Sequence, residues 1–256
     1  MKSRVDLNCD LGEGFGPWRM GSDEGIMDHV TSVNVACGFH AGDPVVMKDT
    51  VERAVARGIA IGAHPGYPDI QGFGRREMSC TPDEIYALCL YQIGALMAFA
   101  RSCGVRLAHV KPHGALYNRG ARDKEAAFAI ARASRDADRN MVLVGLPGSA
   151  FEKAAIEAGI PFASEAFADR AYMEDGSLVP RSWPGSVIHD PEEAARRVLE
   201  MVKEGRIISV EGSMLHIRPD TVCVHGDTPE ALRMARAIRE KLEAEEIVIA
   251  PVGSGS

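Results

Sequence analysis

The chain's short apolar runs end, one after another, in residues that carry chemistry. β-Branched or apolar runs at residues 5–9, 33–37, 59–63, 106–110, 141–145, 161–165 and 221–224 alternate with stretches of helical period at 45–56, 85–100, 126–137, 194–202 and 231–242. Such alternation predicts an α/β fold with a parallel sheet of seven strands, because a crossover helix is what returns the chain to start each next strand in the same direction. Capping side chains set before proline sharpen the helix starts, at Asp43-Pro44, Thr81-Pro82, Asp190-Pro191 and Thr228-Pro229. Gly58, Gly104, Gly159 and Gly205 follow helical stretches, where a left-handed cap residue is wanted.

With 256 residues and 46% hydrophobic content the chain can bury one large core, and no interior linker or fixed repeat divides it, so residues 1–256 read as a single domain. Residues 171–180, with Glu174-Asp175-Gly176-Ser177 between apolar runs, predict a hairpin or a lid over a site, and residues 253–256 a flexible tail. A net charge of −7 argues against nucleic acid or an anionic membrane as partner and for a small molecule or another protein. No apolar h-region opens the chain and no uninterrupted apolar run reaches a membrane span, which predicts a cytoplasmic location. Six cysteines without a C-x-x-C pair read as reduced thiols, with Cys9 and Cys37 open between buried apolar residues and reactive ones.

The strand ends carry Asn8-Cys9-Asp10-Leu11-Gly12-Glu13, then Cys37-Gly38-Phe39-His40-Ala41-Gly42-Asp43, then His64-Pro65-Gly66-Tyr67-Pro68-Asp69 and Lys111-Pro112-His113-Gly114. Glu165 with Asp169-Arg170, and His225-Gly226-Asp227, follow in the same positions. In a parallel barrel these points share the carboxyl-terminal mouth, where loops build active sites. Any one strand-end histidine can be an ordinary satisfied residue, but four within two residues of glycine or proline point to a site. His29, His109, His189 and His216 lie within or before elements and read as structural. Asp10 and Glu13 can equally be turn or cap residues, whereas Lys111 between an apolar strand and Pro112 belongs at the mouth. Arg75 and Arg76 follow Gly72-Phe73-Gly74 and are either surface charges or a carboxylate clamp. No P-loop, G-x-G-x-x-G, G-x-S-x-G or H-E-x-x-H is present, which leaves an acid, base and histidine cluster suited to activating water directly or through a metal.

Taken in order, the stretches 6–13, 34–44, 62–69 with 72–76, 109–118, 165–170 and 224–228 resemble the LamB/YcsF family, also called the 5-oxoprolinase A-subunit family, over nearly the whole chain. The resemblance implies an irregular seven-stranded β/α (TIM-like) barrel of the glycoside hydrolase/deacetylase type. It also implies a complex with subunits B and C that hydrolyses 5-oxo-L-proline to L-glutamate with ATP and magnesium. By analogy with deacetylases of similar fold, Asp10, His40 and His64 would hold a divalent metal, with His113 nearby. The alternative is a metal-free cluster in which Asp10 or Glu13 positions water and a histidine such as His113 moves protons. Lys111 and Arg75 would neutralise substrate charge, with Asn8, Asp43, Asp169, Arg170, His225 and Asp227 as further substrate contacts. A stand-alone metal-dependent deacetylase or amidohydrolase, a non-catalytic 5-oxoproline-binding subunit, and a homo-oligomer remain open at this point.

Overall fold

The computed structural model describes residues 4–20, 23–224 and 230–253. In chain order the elements begin β1 (Arg4–Leu11), α1 (Asp23–Met27), β2 (Ser32–Ala36), α2 (Pro44–Ala56), β3 (Ala60–His64), α3 (Pro82–Ser102) and β4 (His109–Val110). They continue with α4 (Gly114–Arg122), α5 (Lys124–Ala137), β5 (Val142–Gly145), α6 (Ala150–Ala158), β6 (Phe162–Phe167) and α7 (Pro191–Glu204). Last come β7 (Arg206–Ile208), β8 (Met214–His216), β9 (Thr221–Cys223), α8 (Ala231–Ala244) and β10 (Val248–Ile249).

Among the described residues, β1-β2-β3-β4-β5-β6-β9 pair in parallel and β9 returns to β1, closing a seven-stranded barrel that matches the seven apolar runs of the sequence. The short β10 lies beside the amino end of β1, pairing Arg4 with Val248. Three elements have weak sequence signals. The antiparallel β7–β8 hairpin has three-residue strands with an exposed face, α4 opens on glycine, and α6 is only nine residues long. The capping residues act as their sequence suggests: Asp43 and Asp190 accept main-chain N–H groups, and Thr81 with Glu84 forms a full capping box. Thr228-Pro229 and residues 254–256 lie outside the described residues. At 171–180 the chain reverses on Asp175-Gly176, with the Met173 N–H donating to the Ser177 carbonyl and the Val179 N–H to that of Ala171.

The apolar core lies between the strands and their surrounding helices. Leu7, Cys9 and Leu11 of β1 and Val33 and Val35 of β2 are fully buried there, with Met47, Val51 and Ala54 of α2 against them. Helix α3 is long and apolar enough to cross a membrane by length and composition alone. Its buried stripe of Ile85, Cys89, Gln92, Ile93 and Leu96 packs instead into this core. Phe151 of α6 fills the space left by two glycines: a Cβ at Gly120 would sit 2.3 Å from its ring and one at Gly145 2.7 Å from it.

A polar column runs through the centre of the barrel. Alternate residues of β1, Asp6, Asn8 and Asp10, are all buried and meet Ser32 and Asn34 of β2, His109 of β4, Glu165 of β6 and Thr221 of β9. Asp6 accepts three hydroxyls, from Thr31, Ser32 and Thr221, at 2.6, 2.7 and 2.5 Å. Gly62 leaves room for the His109 ring, whose Nε2 would lie 2.1 Å from a Cβ there. Phe151→Ala should cost about 3–5 kcal/mol of unfolding free energy, read by urea titration, because the two glycines cannot close over the cavity. A loss under about 1 kcal/mol would show that this part of the core is not packed as described.

Candidate active site

The site sits where the polar column reaches the carboxyl ends of the strands. Lys111, just past β4, is 2% exposed and its ammonium lies 2.9 Å from Asp10 Oδ1, 2.9 Å from Glu165 Oε1 and 3.0 Å from Cys223 Sγ. Burial opposes its charge, but Asp10, Cys223 and Glu165 outweigh that and hold its pKa well above the usual lysine value. All three ammonium hydrogens therefore have acceptors inside the protein. Asp10 Oδ1 also accepts from the Asn34 amide at 2.8 Å, which fixes the carboxylate from two sides.

Beside this ion pair three imidazoles and a carboxylate converge. The ligand atoms of Glu13, His40, His64 and His113 all lie within 4.8 Å of one another, and all four residues are buried. His40 and His113 stack at 3.8 Å, and His64 meets both rings edge-on. The cradle is built from tight turns. A Cβ at Gly66 would lie 2.6 Å from His40 Nδ1, so glycine is required for the approach. Fully buried Gln92 of α3 clasps that turn through both the N–H and the carbonyl of Gly66, at 3.0 and 2.9 Å. Asp69, ion-paired with Arg76, accepts the Gly72 N–H and braces the following loop, in which Phe73 adopts a left-handed φ of 53°.

Two main-chain carbonyls fix the tautomers. His64 Nδ1 lies 2.6 Å from the Lys111 carbonyl and His113 Nε2 lies 2.8 Å from that of Phe73, so each of these nitrogens carries the hydrogen. The remaining nitrogens, His64 Nε2 and His113 Nδ1, then face each other 2.9 Å apart. Glu13 Oε1 stands 3.5 Å from His113 Nδ1 and 3.4 Å from His40 Nε2, while Asp10 Oδ2 is 3.4 Å from His64 Nε2. Among the described residues, neither ring nitrogen of buried His40 has a hydrogen-bond partner. Burial first, then the neighbouring rings, keep His40 and His113 well below the ordinary histidine pKa, so both are neutral. Ring nitrogens and a carboxylate converging this closely fit a divalent cation, and imidazole with carboxylate suits zinc or another transition metal.

The donors gathered here differ from the set suggested by sequence. Glu13 and His113 join His40 and His64, while Asp10 gives Oδ1 to Lys111 and Asn34 and keeps Oδ2 beside the cluster, 3.4 Å from His64 Nε2. Asp10, Glu13, His113, Lys111, Arg75 and Arg170 all border one cavity of about 790 Å³. Asn8 does not reach it: one layer deeper, its amide donates to Glu165 and Thr221 and its oxygen accepts from Asn34. Asp43 is spent on the N–H groups of Val45, Val46 and Gly16 and borders a separate groove beside α2. Asp169 is buried next to Arg170 without lining the cavity, and its carbonyl accepts the Ile188 N–H. His225 and Asp227 lie outside the described residues. Gln92, Glu165 and Arg181 take parts in the site that sequence reasoning did not assign to them. A glutamine inside an apolar helical stripe was the available signal for the first, and a carboxylate at a strand end for the second.

Fold and site together define a parallel β/α-barrel protein with a candidate hydrolytic centre of imidazoles and carboxylates at its mouth. The chain belongs to the LamB/YcsF family, whose model matches residues 5–255. It is 53% identical over 253 residues to the 5-oxoprolinase A subunit of Methylococcus capsulatus, covering 99% of this chain and 97% of that one. Identity to the 5-oxoprolinase A subunit of Pyrococcus abyssi is 52% over 249 residues, 97% of this chain and 98% of the relative. Among solved structures, a lactam utilization protein from Thermus thermophilus superposes with a TM-score of 0.92 at 51% identity, covering 96% of this chain and 99% of that one. A putative cellobiose-phosphate cleavage protein from Enterococcus faecalis, at 16% identity and a TM-score of 0.58 over 98% and 97% of the two chains, shares the fold.

The neutral histidines set the acid stability. Burial lowers His109 to about 3, below its ordinary 6.5, and lowers His40 and His113 in the same direction. The unfolded chain then binds more protons, so this stability is present above pH 6.5 and is lost as pH falls. Each such histidine should contribute a slope of about 1.4 kcal/mol per pH unit below 6.5 in urea titrations, with His109→Asn removing one share. A flat profile between pH 7 and pH 5 would contradict buried neutral rings.

Proposed function

We propose that this chain is the A subunit of an ATP-dependent 5-oxoprolinase, opening 5-oxo-L-proline to L-glutamate together with subunits B and C. The observation that carries the reading is the convergence of His64, His113, His40 and Glu13 lone pairs at the barrel mouth, in a chain alike over its full length to proteins named as the A subunit of 5-oxoprolinase. An unstrained lactam is a poor electrophile, so energy from ATP goes into its oxygen. Transfer of the γ-phosphoryl group to that oxygen releases ADP and makes the attached carbon electrophilic. Water then adds there, the ring nitrogen leaves as the amine with a proton, and the acyl phosphate formed is hydrolysed to carboxylate and phosphate. Because this sequence has no P-loop, ATP with its magnesium belongs to the partner subunits or to their interface with this chain. ATP dependence also puts the working enzyme in the cytoplasm.

In this scheme Glu13 and neutral His113 take protons from the attacking water and return one to the departing nitrogen. Asp10 is held as a carboxylate by Lys111 and lies against His64, so Lys111 acts through Asp10 rather than on the substrate. In the alternative arrangement a divalent cation on the Glu13, His40, His64 and His113 donors would occupy the lone pairs that otherwise take protons, and would supply Lewis acidity toward the carbonyl oxygen and a lowered pKa for water in their place.

Glutamate release from 5-oxoproline is expected from the chain with purified B and C subunits and ATP, and not from the chain alone. His113→Ala should lower that turnover about 100-fold or more. ATP-independent turnover of an amide by the isolated chain would replace this reading with a stand-alone amidohydrolase. Full turnover by assembled Glu13→Gln and His113→Ala variants would make the chain a binding subunit. Calorimetric titration with zinc or manganese should show one site per chain that disappears in His64→Ala, and no heat with either ion would remove the metal from the scheme.

A further inference from the structure

The cation nearest the reacting centre is already committed, which moves the question of ligand charge to the outer wall. Lys111 donates to Asp10, Cys223 and, at 3.4 Å, Asn8, and forms an ion pair with Glu165. Three guanidinium groups border the same cavity farther out, from Arg75, Arg170 and Arg181. We infer that Arg170 and Arg181, with Arg75 alongside adding positive charge, form an anion subsite that receives a carboxylate or phosphoryl group of the ligand while its electrophilic carbon faces the histidine cluster. The inference rests on the functional reading above for the identity of that ligand, and on the structure for the site itself.

Arg170 is the centre of the argument. It is only 6% exposed, yet its hydrogen bonds go to two main-chain carbonyls, from Nε to Ser186 at 3.2 Å and from Nη2 to Val179. A guanidinium has five N–H donors, so hydrogens remain for a ligand on the cavity side. Among the described residues no carboxylate pairs with Arg170 or Arg181 within ion-pair distance. Arg75 stacks its guanidinium over the Phe73 ring at 4.9 Å, on the loop whose carbonyl holds His113. Burial, then the like charge of Arg181 and more weakly Arg75, lower the Arg170 pKa to about 10, with Asp169 opposing them. Grouping like charges around a buried guanidinium costs free energy, and an anion seated between them removes that cost.

Among the described residues, the acidic groups at the outer part of the cavity do not fill this role. Asp175 caps its own turn by accepting the Ser177 N–H, and Glu174 and Glu211 are exposed at the rim. Asp10 faces Lys111. The shape of the donors also matters, since a planar fork binds the two oxygens of a carboxylate or phosphoryl group at once. Arg170 further ties the ligand to the fold. The carbonyls it holds belong to residues 179 and 186, so the group that binds the anion also pins the segment carrying Arg181 and Trp183 over the cavity.

The test uses the full chain and defined probes. Isothermal titration with L-glutamate and 5-oxoproline supplies the carboxylate, and titration with inorganic phosphate and pyrophosphate supplies the phosphoryl group. At least one probe should bind in a salt-sensitive manner, weakening about tenfold in Arg181→Ala, with Arg181→Lys recovering only part because it lacks the fork. Arg181 is exposed, so its variants should keep the wild-type melting temperature. No binding of any probe, or equal binding by wild type and Arg181→Ala, overturns the subsite. In the assembled enzyme, Arg181→Ala should raise KM for 5-oxoproline about tenfold if the substrate carboxylate rests there, or lower kcat about tenfold at constant KM if the phosphoryl group does. Unchanged KM and kcat overturn the subsite as well. Anion binding that depends on Arg181, in a chain whose complex releases no glutamate, would leave the subsite standing and remove the 5-oxoprolinase reading instead.

Discussion

The ammonium of Lys111, clamped between Asp10 and Glu165 inside the barrel, is the interaction on which the site depends. Three charges buried together are costly unless hydrogen bonds offset the burial: here Lys111 donates to Asp10, Asn8 and Cys223, Asp10 also accepts from Asn34, and Glu165 Oε1 accepts from Asn8 and ion-pairs with Lys111. Removal of one member would strand the others, so the geometry of Asp10, and through it His64, is over-determined by β1, β2, β4 and β6 at once. The Lys111 carbonyl fixes the His64 tautomer, so one residue sets both the charge and the proton arrangement of the site.

A polar lumen of this kind divides the labour of the fold. In many parallel barrels branched apolar side chains fill the interior. Here that interior holds Asp6, Asn8, Asn34, His109 and Thr221, and the apolar core is displaced to the layer between strands and helices. Hydrogen bonds are directional, so this interior fixes strand registers more stringently than apolar packing does, as when Asn34 bridges Asn8 and Asp10 on its neighbour β1. The loops above inherit that rigidity through Gln92 at Gly66 and through Asp69 at Gly72.

The sequence made the frame legible for a physical reason. Barrel strands and their longer helices carry periodic burial, which composition along the chain displays directly, and the seven strands appear where the apolar runs lie. Depth within the barrel has no such signature. Asn8 and Asp10 are two residues apart on one face of β1, but Asp10 borders the cavity and Asn8 lies a layer below it, so reading both as mouth residues misplaced Asn8. Asp43 had two local explanations, helix cap and ligand contact, and the proline after it favoured the one the structure adopts. His40, His64 and His113 could be assigned to one mouth from their strand ends, but the partition among Asp10, Glu13 and His113 depends on side-chain directions set by Lys111 and Phe73. Arg181 escaped notice because it lies in a segment without period, positioned by Arg170 from beneath.

These constraints leave the two ends of the cavity with opposite mechanical characters. The inner end is held by main-chain carbonyls and buried side chains, and it presents lone pairs in fixed directions, as stabilising a developing charge requires. The outer end comes from the 170–187 segment, tied down chiefly by one cross-strand turn and by the carbonyls that Arg170 grasps. A ligand anion held by Arg170 and Arg181 would add its bonds to that segment rather than to the buried polar column beneath. Binding would therefore order the outer wall against a floor that does not move, so that remote binding energy orients the ligand for attack without disturbing the groups that perform it.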